Sequence, residues 1–178
     1  MAISIRKATA EDTREMARVH VDTWRSTYAG IVPQDFLDGL NYEDRAAMWA
    51  RILKENRPHW HVVVAVTETG RIVGFSSGGK NRTEGTPFEG EVYAIYVDKE
   101  YQGQGIGAQL FQRSLEELRS KNLKTAMVWS LDANPYRTFY ESMGGKAVLE
   151  RDQNVGGKHL PETAYGWGDL SAAGRLDA

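Results

Sequence analysis

The chain has 178 residues, 41% of them hydrophobic, a formal net charge of −2 at pH 7 and no cysteine. That length suits one domain, spanning residues 1–178, with a substantial core. The near balance of charge argues against a nucleic-acid partner, and the absence of thiols excludes disulfides, thiolate metal sites and a covalent cysteine mechanism.

The opening "MAISIRKATAEDT" has no apolar core of the kind a signal peptide carries, and no apolar run nears the roughly 18 residues of a membrane span, so a cytoplasmic protein is expected. Ile3 and Ile5 alternate with polar residues as in a half-buried strand. Thr9 and Asp12 have the spacing of a capping box, and Met16, Val19, His20, Thr23, Trp24 and Tyr28 then recur at helical spacing up to Gly30. Pro33 and Gly39 interrupt the next helical stretch, which reads as one or two short helices. "HVVVAVTETGRIVGFSSG" holds two β-branched runs about a turn at Thr67–Gly70, the pattern of an antiparallel hairpin.

After a Gly-, Pro- and charge-rich loop over 80–90 come the strand "EVYAIYV", an amphipathic helix "IGAQLFQRSLEELRSKN" and the strand "TAMVWSL". "NPYRTFYESMGG" predicts a short helix with Asn134 as N-cap, Pro135 at its first position and Gly144 or Gly145 past its end. "KAVLE" and "TAYGWGDL" close the chain as strands around a loop.

Gly103, Gly105 and Gly107 stand at alternate positions where a strand hands over to a helix. A helix N-terminus offers unpaired amides and a partial positive charge, and glycines clear the approach of a phosphate to them. A dinucleotide-binding reading fits poorly, because "DKEYQ" separates the strand from the first glycine and no ribose-binding acid follows at about 20 residues. The GKS or GKT ending of a Walker loop is absent.

"QGQGIG", preceded by "YAIYVDKEY", resembles the (Q/R)xxGx(G/A) pyrophosphate signature of the GNAT superfamily of N-acetyltransferases, with Gln102, Gly105 and Gly107 in its defined positions. "NPYRTFYESMGG" resembles that family's later segment, an Asn before a helix bearing a Phe-Tyr pair, and the order of strands matches over almost the whole chain.

The resemblance implies an α/β (α+β) fold with a central mixed, mostly antiparallel sheet that splays after its fourth strand and is flanked by helices. It also implies acetyl-CoA as co-substrate, without a metal. The backbone of Ile95, Tyr96 and Val97 would pair with the pantetheine arm, and amides of Gly103, Gln104, Gly105, Ile106 and Gly107 would hold the pyrophosphate, which Gln102 would also face. Asn134 would cap its helix, contact the CoA, or do both. Homodimers are common in the family.

Acetyl transfer needs a neutral amine and a proton for the departing thiolate. The resemblance makes Tyr140, the Tyr of the Phe-Tyr pair, the acid candidate, although Tyr136, Phe139, Tyr140 and Met143 also read as one apolar stripe. Glu91 is the base candidate; its parity places it on the face of Tyr93, Ile95 and Val97, with Glu89 or a chain of waters as alternatives. Trp24, Tyr28, Trp60 and Trp167 line an acceptor pocket or belong to the core. Asp35, Asp38, Glu43 and Asp44 attract a cationic amine or form a solvated face. His20, His59, His61 and His159 show no metal-ligand spacing. The expected reaction is direct transfer from acetyl-CoA to a primary amine of a small or amino-acid-like molecule. The alternatives are a protein N-terminus or lysine as acceptor, and a non-catalytic acyl-CoA sensor.

Overall fold

The computed structural model describes residues 2–171. Its strands are β1 (Ile3–Lys7), β2 (His61–Thr67), β3 (Ile72–Lys80), β4 (Gly90–Val97), β5 (Ala126–Leu131), β6 (Lys146–Val155) and β7 (Lys158–Trp167). They form one sheet in the order β1-β2-β3-β4-β5-β7-β6. Every pairing is antiparallel except β4 with β5. The helices are α1 (Thr13–Tyr28), α2 (Gln34–Gly39), α3 (Tyr42–Glu55), α4 (Ile106–Ser120) and α5 (Thr138–Ser142).

The Val-rich run of β2 is buried throughout because the sheet is covered on both faces. Val62, Val64 and Val66 pack with Met16, Val19 and Trp49 of α1 and α3. Val63 and Ala65 point the other way, onto Ile106 and Leu110 of α4. The expected capping box is present on a short 3-10 turn before α1: the Thr9 amide donates to Asp12 Oδ2 at 2.7 Å. Arg6 grips the same carboxylate at 2.7 and 2.9 Å and holds its pKa below the usual range.

One expectation is met in a definite form and another is shifted in extent. The stretch interrupted by Pro33 and Gly39 is two helices, the second capped by Asn41, whose Oδ1 accepts from the Asp44 amide at 2.8 Å. Regular helix in α5 begins at Thr138 rather than directly after Asn134. The chain there is closed by tighter bonds spanning three residues, Arg137 N to Asn134 O and Phe139 N to Tyr136 O among them.

β4 pairs with β3 from Gly90 to Val97 but with β5 only at Gly90↔Ala126 and Glu91↔Met127. β5 turns away to run its whole length beside β7. Beyond Glu91 the sheet is therefore split into a V, and among the described residues the β5-facing edge of β4 has no strand on it. A bulge lies in the same stretch, since Ser77 pairs with Ala94 and Gly78 with Val92, leaving Tyr93 extra. Bulges sharpen local twist, and this one sits where the strands part.

Candidate active site

A cavity of about 540 Å³ occupies the V. Its floor is β4 at Ile95–Val97, one wall is the end of α1, the other is the segment from Asn134 to Met143, and its mouth is the loop from Tyr101 to Ala108. The expected positions Ile95, Tyr96, Val97, Gln102, Gly103, Gly105, Gly107, Asn134 and Tyr140, scattered over 46 positions of sequence, all line this one space.

The glycine loop has the backbone that anion binding requires. Gly103 and Gly105 have φ of +73° and +77°, the left-handed region that residues with a Cβ rarely adopt. Gly105 is the N-cap of α4, and the first amide to bond back to it is that of Gln109, 3.1 Å from Gly105 O. Among the described residues the amides from 103 to 108 have no protein acceptor, and the first turn of α4 carries no acidic side chain. The strand end leading to this loop is fixed by Asp98, whose carboxylate takes two bonds from Arg18 at 3.1 and 2.9 Å and whose amide donates to Val73 O.

Three expected residues are disposed differently. Gln102 lines the cavity, but its side-chain amide folds back and donates to Val97 O at 3.0 Å instead of pointing at the loop's amides. Gln104 donates to Glu100 O, the Ile106 side chain is 2% exposed in the core, and neither residue lines the cavity. Glu91 does not reach the cavity: it is 2% exposed, and its carboxylate accepts from the Arg82 amide at 3.0 Å and from the Arg82 guanidinium at 2.8 and 3.3 Å. Its parity with Ile95 and Val97 is broken by the Tyr93 bulge. Val92, not Glu91, packs in the cluster under α4 with Phe111 and Leu115, where Ile95 also lies.

Tyr140 packs edge-on against Phe111 and Phe139 and stacks on Tyr165, so the stripe reading is also true of its ring. Burial raises its hydroxyl well above the ordinary tyrosine pKa, which keeps it an O–H at any working pH. Tyr96 and Tyr28 are raised by burial in the same way. Trp24 Nε1 donates to the Tyr96 hydroxyl at 2.9 Å, and the Tyr96 ring stacks on His20. Burial lowers His20 to about 4, so its imidazole is neutral, and its Nδ1 accepts from Trp49 Nε1.

The remaining aromatic and acidic candidates separate cleanly. Tyr28 lines the cavity, whereas Trp167 lies in the core and Trp60 sits under Arg57 beside Tyr93. Asp38 and Asp44 are exposed and engaged with Gln34 and Asn41. Thr23, Thr27 and Tyr136 also form the wall. Their positions within helical or turn patterns gave no sequence signal, and only the buried Thr23 hydroxyl, without a hydrogen-bond partner, distinguishes one of them here. No group of three or more His, Cys, Asp or Glu suited to a metal occurs among the described residues.

A split sheet with a free strand edge, leading to a turn of unpaired amides, offers an extended ligand a strand edge to pair with and its anionic end a turn to sit on. The model of the GNAT acetyltransferase family matches residues 16–144. YuaI of Bacillus subtilis, an uncharacterized N-acetyltransferase, is 39% identical over 171 residues, 96% of this chain and 95% of that one. Among solved structures, the PaiA N-acetyltransferase of Thermoplasma acidophilum in complex with coenzyme A superposes with a TM-score of 0.72 at 21% identity, covering 91% of this chain and 98% of that one. YncA of Salmonella typhimurium, solved with acetyl-CoA, gives 0.71 at 20% identity, over 100% and 99%.

The chain belongs to the GNAT family. It is an acetyl-CoA-dependent acetyltransferase.

Proposed function

We propose that the protein acetylates a primary amine of a small or amino-acid-like molecule by direct transfer. The observation that carries the reading is one cavity lined together by the glycine loop with its free amides, by β4 at Ile95–Val97 along its unpaired edge, and by Tyr28, Tyr96 and Tyr140. Acetyl-CoA supplies an acetyl group activated as a thioester. The amides of 103–108 bind its pyrophosphate, and the β4 edge at Ile95–Val97 binds the pantetheine amides as an added strand would. Gln102 gives up Val97 O as the arm enters.

Tyr140 serves the leaving sulfur. With its pKa held above that of a thiol, the hydroxyl acts as a hydrogen-bond donor to the sulfur, and the proton that ends on sulfur balances the one lost by the attacking nitrogen. Among the described residues no carboxylate or histidine lines the cavity. Deprotonation of the incoming ammonium is therefore assigned to water and not to Glu91.

A small acceptor is the reading that suits a cavity of about 540 Å³ held between the two walls of the split sheet. The β6–β7 hairpin tip is tied to the α1–α2 connection through Lys158 Nζ to Ile31 O at 2.9 Å, and Phe36 sits where a Cβ on Gly156 would lie. The test is a panel of small amines and amino acids against peptides with free N-termini or lysines, read by mass spectrometry. Acetylation of small amines at millimolar concentration is expected; modification of peptides alone would overturn the acceptor class.

A further inference from the structure

The hydrogen bonds of Asn134 in the cavity wall fix the direction of a proton. The Tyr136 amide donates to one side-chain atom of Asn134 at 2.9 Å, and because a backbone N–H can only donate, that atom is the oxygen. The other, nitrogen, end of the Asn134 amide therefore faces Tyr28, to whose hydroxyl it donates at 3.2 Å. An amide nitrogen offers only protons, so the phenol oxygen is the acceptor in this bond and must direct its own O–H elsewhere. Among the described residues that hydroxyl donates to no protein atom, while Tyr28 is 9% exposed and lines the cavity. A buried hydroxyl donor without a partner costs stability unless something in the cavity accepts from it.

The bond also spans the split. Tyr28 ends α1 and Asn134 follows β5, 106 residues away in sequence. Asn134 is itself held, its own amide donating to Leu131 O at 2.9 Å. The O–H is thus aimed by a clamp between the two walls of the V, not by a loose rotor.

We infer that Tyr28, oriented by Asn134, donates a hydrogen bond to the thioester carbonyl oxygen of bound acetyl-CoA and to the negative charge that grows there as the amine attacks. A neutral donor fixed before reaction and aimed at the oxygen where charge develops is the arrangement that stabilises acyl transfer most effectively. Tyr28 is then a catalytic residue distinct from Tyr140, which serves the sulfur, and Asn134 is a positioning residue acting through it. The inference rests on the acetyl-CoA reading above.

The test uses acetyl-CoA labelled with ¹³C at the carbonyl, together with unlabelled CoA. In the wild-type protein the infrared carbonyl band should move to lower frequency on binding, and acetyl-CoA should bind several-fold more tightly than CoA, as one neutral hydrogen bond predicts. Tyr28→Phe should return the band to its solution position, abolish that preference while leaving CoA affinity unchanged, and lower kcat by roughly 10².

Asn134→Asp supplies the second variant. A carboxylate still accepts from the Tyr136 amide but accepts from Tyr28 as well, drawing the phenol proton out of the cavity, so it should reproduce the loss of the band shift although Tyr28 is intact. A wild-type band position and a wild-type CoA to acetyl-CoA ratio in either variant would overturn the proposal. A wild-type protein that bound neither ligand would overturn the acetyl-CoA reading on which it stands.

Discussion

Tyr140 of α5 and Glu91 of β4 differ in where the fold puts their polar ends. The Tyr140 ring is fixed by three aromatic neighbours while its hydroxyl lies in the cavity wall, so Tyr140→Phe preserves the packing and removes only the donor. Its kcat should fall by roughly 10² with acetyl-CoA affinity unchanged, measured by steady-state kinetics beside calorimetric titration; full activity would return the residue to the core alone. Glu91 is an anchor for Arg82 and the loop that follows β3. Glu91→Gln should therefore keep the wild-type pH profile of kcat/KM while lowering stability by about 1–3 kcal/mol through the weakened charged hydrogen bonds. Loss of the acidic limb of that profile would reinstate Glu91 as the base.

At the scale of elements, the start of α4 and the edge of β4 act together. The helix is anchored by Ile106, Leu110 and Phe111 in the core, which leaves its first amides at a fixed place beside the cavity. Gly107 tests this without backbone strain: it lies in the helix proper, and an added Cβ would meet only the Phe139 ring at 3.9 Å. Gly107→Val should fold and melt within a few degrees of wild type, yet lose at least about tenfold in CoA affinity because the branched side chain stands over the amides. Gly105 is a poorer probe, since its φ of +77° makes any substitution strained whatever the ligand does. Unaltered CoA binding by Gly107→Val would remove the pyrophosphate from this turn.

For the whole molecule, two buried imidazoles set the acid limit of stability. Burial lowers His20 to about 4 and His61 to about 3, with Arg45 and Lys121 respectively adding to the effect. His61 is 6% exposed, and among the described residues neither of its nitrogens has a partner. A histidine with a lowered folded pKa binds its proton more readily in the unfolded chain, so the stability it allows is full above about 6.5 and is lost as pH falls toward the folded values. Urea unfolding at pH 7 and pH 5 should show a loss of ~2 kcal/mol for each imidazole. In His61→Leu about half of that pH dependence should vanish; an unchanged slope would mean that His61 takes up its proton in the folded state. Acid should thus weaken the protein through its core, away from the cavity, where burial raises Tyr28, Tyr96 and Tyr140 and keeps them neutral over this range.

What the sequence determined by itself was local. Alternation and β-branching wrote β1 to β4, Thr9 with Asp12 wrote the entry to α1, and the spaced glycines wrote the turn before α4, because each depends on backbone preferences within a few residues. The same glycines, with the Asn-Pro segment, carried enough pattern to reveal the family. The tertiary structure alone decided where the side chains of the site point. One extra residue at Tyr93 inverted the parity that had put Glu91 beside Ile95, and a strand pattern read at period two has no means of showing a bulge. Gln102 turned to Val97 because a free carbonyl lay within its reach where β5 had departed. Tyr28 read as one more aromatic on a helix stripe. Its pairing with Asn134 exists only because the split sheet brings α1 against the end of β5, and contacts between residues so far apart in sequence leave no periodic trace in either segment.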